Sequence, residues 1–259
     1  MDQRNAGIRD LIHAGRTFMQ LDYDVVKESD QQKRLPQPPL CKPAMGGAIT
    51  PLPTNFDGII EHGSYLELLN IRRSERRYSA QPLTIAQLAF LLWSTQGIQS
   101  IRGNNYATMR PVPSGGARHE FETYFVAATD GVIGLDAGLY HYLPIDNAIE
   151  YIHSAEGQTV SELLAGQTWA DKAPVTFYWS CVAYRAEWRY SNMSHRVALI
   201  DLGHIGQNFM LSAAALGIGS CCIAAYDQKK CDEFIGLDGD EEYTVYTCAV
   251  GYVDGKTNA

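Results

Sequence analysis

The 259-residue sequence holds six cysteines yet has no C-x-x-C pair and no Cys/His set at zinc-finger spacing. A zinc module and a thioredoxin-type motif are thereby excluded. Positive charge is scarce: 21 Lys and Arg stand against 29 Asp and Glu, a formal net charge of -8. That balance excludes nucleic acid or an anionic membrane as the main partner, and any bound anion must be met by a local patch. The opening MDQRNAGIRD lacks the apolar stretch of a signal peptide, so a reduced, cytoplasmic setting is expected. Long apolar runs are also few. Phe209 to Tyr226 is 18 residues without a charge, but Ser212, Gly217, Gly219, Ser220 and the Cys221-Cys222 pair interrupt it. A helix ending at Gly217 and leading into a buried strand fits that segment better than a membrane span.

Proline, in contrast, is concentrated. Six of the eleven prolines lie between Pro36 and Pro53. Residues 1–60 are therefore expected to form an arm with a first helix and then an extended path. Leu35, Leu40, Ile49 and Leu52 would pack that path on the chain itself or on a second subunit. A compact domain over 61–259 follows. In it, LTIAQLAFLLWSTQG predicts a helix with a Thr84/Gln87 capping box, an Ile85–Leu88–Leu91–Leu92 stripe and a stop at Gly97. Strands are predicted at FETYFVAAT, GLYHYL, AIEYI, APVTFYWSCVAY and EYTVYTCAVGYV, a strand or extended loop at SCCIAAY, and short helices at TVSELLAG and KKCDEFIGL. SHRVALIDLGHIGQNFMLSAAALG is apolar almost all round and predicts an interior helix. The fold class is α+β, a mixed sheet flanked by helices with a buried central helix.

Four segments carry candidate chemistry. NIRRSERRYS sets Arg72, Arg73, Arg76 and Arg77 around Ser74. It reads either as a solvated basic turn or as a phosphate clamp, in which planar guanidinium forks grip phosphate oxygens and a small hydroxyl adds a bond. RPVPSGGARHEF contains Pro113, Ser114, Gly115 and Gly116, a loop able to bare its amides to a flat ligand or merely to precede a strand. It is no Walker loop, because Gly-Lys-Ser/Thr does not follow it. Gly217-x-Gly219 follows a helix and precedes a strand, the reverse of a dinucleotide fingerprint, which leaves LGIGSCCIAAYD as small-residue main chain suited to lying against a ring. YRAEWRYSNMSHR offers Tyr190 as a proton donor and Arg189 as a fixed charge, or else an aromatic cluster at an interface. His195 and His204 fall nine positions apart on opposite sides of one helix and make no metal pair.

Together these segments resemble the nitroreductase family of FMN-dependent oxidoreductases, and among them the SagB/ThcOx-type dehydrogenases in their free-standing form. RRSERRY is similar to the family's Arg-Arg-Ser-x-Arg motif, RPVPSGGARHEF to its Pro-Ser-x-Gly loop, and DLGHIGQN with LGIGSCCIAAYD to its core helix and following segment. The resemblance spans roughly Ser29 to Val253 and implies a homodimer with FMN at the subunit interface. It implies that Arg72, Arg73, Ser74 and Arg76 hold the phosphate and ribityl chain. Pro113, Ser114, Gly115 and Gly116 would line the isoalloxazine from the neighbouring subunit, and Cys222, Ile223, Ala224 and Ala225 would present backbone to its reactive edge. A Pro-rich arm could then embrace the second subunit. The flavin carries the hydride chemistry through N5, with a small or peptide-derived substrate and NAD(P)H as a possible donor, and the protein supplies grip and electrostatics.

One departure is informative. Azoline-oxidising members carry a Lys-Tyr pair where this chain has Arg189-Tyr190, and a guanidinium is a poor general base. Two alternatives stay open: a benzimidazole synthase-like enzyme that consumes reduced FMN, and a non-catalytic flavin-binding subunit of a biosynthetic complex.

Overall fold

The strand APVTFYWSCV organises the molecule. Seven of its eight ordered residues, Val175–Val182, are buried, as a central strand requires. Its alternation feeds two cores. Val175, Phe177, Trp179 and Cys181 point to one side, and Tyr178 points to the other. The structure, a computed structural model, describes residues 6–19 and 27–255.

The elements are α1 (Ala6–Met19), β1 (Ile49–Pro51), α2 (Tyr65–Ile71), α3 (Ile85–Gln96), β2 (Ser100–Arg102), β3 (Ala107–Met109), β4 (Phe121–Ala127), β5 (Gly138–Leu143), β6 (Ala148–His153), α4 (Val160–Leu163), β7 (Val175–Val182), α5 (Ala183–Tyr190), α6 (Ser194–Ala215), β8 (Gly219–Ile223), α7 (Gln228–Ile235) and β9 (Glu242–Gly251). Seven strands form one sheet in the order β1-β6-β5-β4-β7-β9-β8, and β2-β3 form a separate hairpin. Helices α3 and α6 cover one face through Leu88, Leu91, Leu92, Ile205 and Phe209; α4 and α7 cover the other through Leu163, Cys231 and Ile235. The capping box at Thr84 is formed, with Gln87 N–H donating to Thr84 Oγ1 and Thr84 N–H to Gln87 Oε1.

The α+β class is as expected, but the sheet's mixed character is slight. Every strand pairing in it is antiparallel. Among the described residues parallel contacts survive only as isolated bridges, Ser74 to Ser220 and Leu83 to Val132. Connection length accounts for part of this: β5 and β6 are joined by a four-residue turn and β4 and β5 by a loop without a helix or strand, which make hairpins, whereas parallel neighbours need a crossover.

Helix α6 is buried along its C-terminal part, from Phe209 through Ser212 to Ala215. Its N-terminal half is not enclosed: Leu199 and Ile200 are 53% and 52% exposed, and Gly203, His204 and Gln207 share their open side. Among the described residues no helix is long and apolar enough to cross a membrane, and no His/Cys/Asp/Glu group could hold a metal.

The Pro-rich arm lies extended against its own chain. Ile49–Pro51 adds to the sheet as its edge strand on β6, a position where proline's missing N–H is tolerated. Buried charges of the sheet hold the rest. Glu122 accepts the Lys42 N–H at 2.7 Å, pairs with Arg185 at 2.5 Å and touches His141 Nε2 at 3.1 Å. Glu150 accepts the Met45 and Gly47 amides at 2.7 and 2.6 Å. Lys42 Nζ reaches Glu242 at 2.6 Å, and Arg185 Nε donates to the Pro39 carbonyl.

Candidate active site

The arginine turn begins where α2 stops. Arg72 N–H closes the helix on Leu68 O, and the chain then runs extended along β8, with Glu75 N–H donating to Ser220 O at 3.0 Å. This zipper brings three sequence-predicted groups together: Arg72 and Arg73, Ser74, and the strip from Gly217 onward. Arg72, Arg73 and the strip from Gly217 to Ser220 border a cleft of about 410 Å³ that is also lined by Glu61, His62, Glu75 and Tyr252, whereas Ser74 does not line it. Arg73 Nη1 donates to Arg72 O at 2.8 Å, and the Arg76 guanidinium lies 5.7 Å from the centre of the Trp169 ring. Among the described residues no carboxylate forms an ion pair with Arg72, Arg73, Arg76 or Arg77.

The floor of the cleft needs its glycines. Gly217 has φ +70°, and a Cβ there would collide with the Glu61 carboxylate; one on Gly219 would lie 2.8 Å from Glu75 Cβ. Arginines without a carboxylate ion-pair partner among the described residues, beside a strip of bare main chain, fit a ligand with an anionic tail and a flat head. FMN has both parts.

Of the β8 residues, Cys222 is partly exposed, whereas Ile223 is buried in the second core and its carbonyl accepts from Thr247 Oγ1 at 3.1 Å. Ala224 and Ala225 follow in an exposed extended segment. Cys222 Sγ lies 3.4 Å from Cys248 Sγ, its direct partner across the β8–β9 register. The Cys248 neighbour, with help from the Arg72 charge, holds the Cys222 thiol below its ordinary range, while burial pushes Cys248 well above it.

A second cluster surrounds the Pro-Ser-Gly-Gly loop. Pro113 is exposed; Ser114 Oγ accepts the His119 N–H at 2.9 Å; Gly115 N–H donates to Asp201 Oδ2 on α6 at 2.7 Å. Gly116 has φ +57° and Ala117 and His119 also take positive φ, 53° and 46°, so the loop is held in costly backbone conformations. Arg118 secures it, with Nε donating to Gly116 O and Nη2 to Tyr106 O at 3.1 and 2.7 Å. Tyr190 and Arg189 face the same loop: a Cβ on Gly116 would lie 2.9 Å from Tyr190 OH and would strike Arg189 Nε. Arg189 is already engaged, its Nη1 donating to Gln31 Oε1 at 3.1 Å and Tyr106 OH at 3.0 Å. Beneath the loop, Glu120 is wholly buried and neither of its carboxyl oxygens makes a hydrogen bond. Burial, then the Asp201 charge, raises its pKa to about 7, and burial raises Asp201 as well.

The two clusters do not meet within one chain. Asp201 supports the loop and Ala214 lines the arginine cleft, and both lie on α6. At 1.5 Å per residue they are roughly 20 Å apart. Glu61, Glu120, Asp201 and Tyr252 were not singled out from the sequence. Of these, Asp201 had a legible signal, a lone carboxylate on an otherwise apolar stretch of helix.

Comparison with known proteins adds to this geometry. The sequence pattern described as "Nitroreductase family" matches residues 69–252. A provisionally named nitroreductase of Methanocaldococcus jannaschii is 29% identical over 193 residues, covering 74% of this chain and 92% of its own. The trifolitoxin-processing protein TfxB of Rhizobium leguminosarum bv. trifolii is 36% identical over 125 residues, 44% of this chain and 33% of its own. Among solved structures, the Escherichia coli microcin synthetase McbBCD complex with truncated pro-MccB17 bound has a chain that superposes with TM-score 0.61 at 20% identity, over 98% of this chain and 95% of that one. At that identity the likeness speaks for the fold.

Proposed function

Since the chain belongs to the nitroreductase family of oxidoreductases, which generally bind flavin, we propose that it is an FMN-dependent dehydrogenase of peptide-derived substrates and works as a homodimer. The observation that carries the cofactor is the arginine cleft: Arg72 and Arg73, without a carboxylate ion-pair partner among the described residues, set against the glycine-floored start of β8. Arg72, Arg73 and Ser74 would hold the phosphate end, and the backbone from Gly219 to Ala225 would support the ring. FMN bound there supplies hydride transfer through N5. The chain's own residues bind, orient and manage protons.

The homodimer is supported by the roughly 20 Å between the cleft and the Pro-Ser-Gly-Gly loop along α6. A second copy would let the loop of one chain meet the cleft of the other. The half-open side of α6, with Leu199 and Ile200, is an apolar face suited to cover. Of the paired residues, Arg189 is committed to Gln31 and Tyr106 and serves to fix Tyr190. Tyr190, with a titratable hydroxyl against Gly115 and Gly116, is the proton-handling group. The peptide-derived substrate is supported by the likeness to TfxB and to the microcin synthetase chain.

The test begins with colour. Purified protein should be yellow and release FMN on denaturation, and Arg72→Gln/Arg73→Gln should purify folded and colourless. A folded, colourless wild type that stays so in excess FMN would end the reading. Sedimentation would test the dimer, and Tyr190→Phe should depress turnover while leaving flavin content unchanged.

A further inference from the structure

We infer that Cys222 and Cys248 form a redox-active dithiol, a site of reversible disulfide formation at the foot of the arginine turn. The two residues face each other in the antiparallel β8–β9 register with sulfurs 3.4 Å apart. Directly opposed residues in such a ladder have Cα atoms about 4.5–5.5 Å apart, inside the span that a disulfide bridges. Closing the gap to about 2 Å requires side-chain rotation and little movement of the backbone. The two sulfurs differ in the way such a pair needs. Cys222 is partly exposed and lies within the field of Arg72, which favours its thiolate; Cys248 is wholly buried and reachable through Cys222. The other four cysteines are buried, and no such sulfur–sulfur contact is found for them among the described residues.

The oxidant is a hydroperoxide. The Cys222 thiolate attacks one peroxide oxygen, the O–O bond breaks, and the departing alkoxide takes a proton to leave as alcohol. Cys222 is then a sulfenic acid. Cys248 sulfur displaces its hydroxyl, the S–S bond forms, and water leaves with the Cys248 proton. Two thiols have lost two electrons and two protons, and the peroxide has become alcohol and water. A dithiol reductant reverses the change by exchange. The inference does not rest on flavin binding.

The test uses the intact, folded protein treated with stoichiometric hydrogen peroxide, followed by alkylation and non-reducing peptide mapping. A Cys222–Cys248 cross-link, four alkylatable thiols remaining of the six, and reversal by dithiothreitol are expected. Cys248→Ser should stop at a sulfenic acid on Cys222 that dimedone traps. Six unmodified thiols, a cross-link between any other pair, or wild-type Cys222 carried to sulfinic acid without a cross-link would each overturn the inference. The wild-type map is decisive even if the variant fails to fold.

Discussion

Charge is used in two opposite ways in this molecule. Behind β4, β5 and β7, Glu122, Arg185, Glu150, Lys42 and Glu242 are buried or nearly so, and each has its partner within the chain at hydrogen-bonding distance. In the turn after α2, Arg72 is half-buried and Arg73, Arg76 and Arg77 are exposed, and no described carboxylate forms an ion pair with them. A buried charge must be satisfied internally, because an unpaired one costs several kcal/mol. An exposed charge is free to be satisfied by a ligand. The first set therefore fastens the arm to the sheet, and the second is the one the proposed cofactor would use.

The largest effect should come from breaking the first set. Arg185→Leu strips the buried Glu122 carboxylate of its guanidinium partner, leaving only the Lys42 N–H and His141, and should cost about 3–5 kcal/mol in denaturant unfolding. Burial tends to raise the Glu122 pKa, but Arg185 and His141 outweigh it and bring it down to about 2. A depressed carboxyl stabilises the fold above its ordinary value of 4.5 and loses that contribution as pH falls toward about 2. Wild type and variant should accordingly converge in acid. Glu120 sharpens the contrast, being two residues away and equally buried but without a hydrogen bond. Its pKa is raised to about 7, so its favourable contribution is full in acid and fades as pH rises through that value. Glu120→Gln should therefore stabilise the protein at pH 8, by up to about 3 kcal/mol, with the gain vanishing near pH 4. Thermal melts at the two pH values read this directly.

Lys42→Met should cost less, about 1–2 kcal/mol, because Glu242 keeps hydrogen bonds from Tyr124 and Ser180. Loss of protection from proteolysis in residues 29–53 would report the loosened arm. The smallest stability change is expected in the second set. Arg73→Gln should stay within about 0.5 kcal/mol of wild type while weakening retention of FMN at least tenfold. A large destabilisation there would make the turn structural and erase the distinction.

The sequence was legible where structure follows from neighbours. The α3 capping box, the Gly97 stop and the buried run of β7 could all be read from residues within a few positions of one another. The β2–β3 hairpin escaped because each strand is three residues long, too short for an alternation to declare itself. Helix α5 passed as an aromatic cluster because Tyr184, Trp188 and Tyr190 obscure its period. The contacts of the arm were beyond reach for a different reason: Lys42 meets partners 80 and 200 positions away. Local pattern could suggest that the arm packs, but could not say on which subunit. At the site, the arginines and glycines could be read as a candidate clamp, whereas the roughly 20 Å between the two clusters is a property of where α6 carries them.

The bond between Lys42 and Glu242 also governs the order of events on the ribosome. Residue 42 emerges early and its ammonium must wait for nearly the whole domain to be synthesised. Until β9 arrives, β7 lacks one sheet neighbour, β8 lacks its strand partner, and the proline-rich segment, though able to meet β6 and Glu122, lacks its tie to Glu242. Synthesis at about 5–20 residues per second makes that wait one of roughly ten seconds or more. The final strand is thus a latch, and translation stalled shortly before Glu242 should leave a nascent chain with its upstream segment still open to protease.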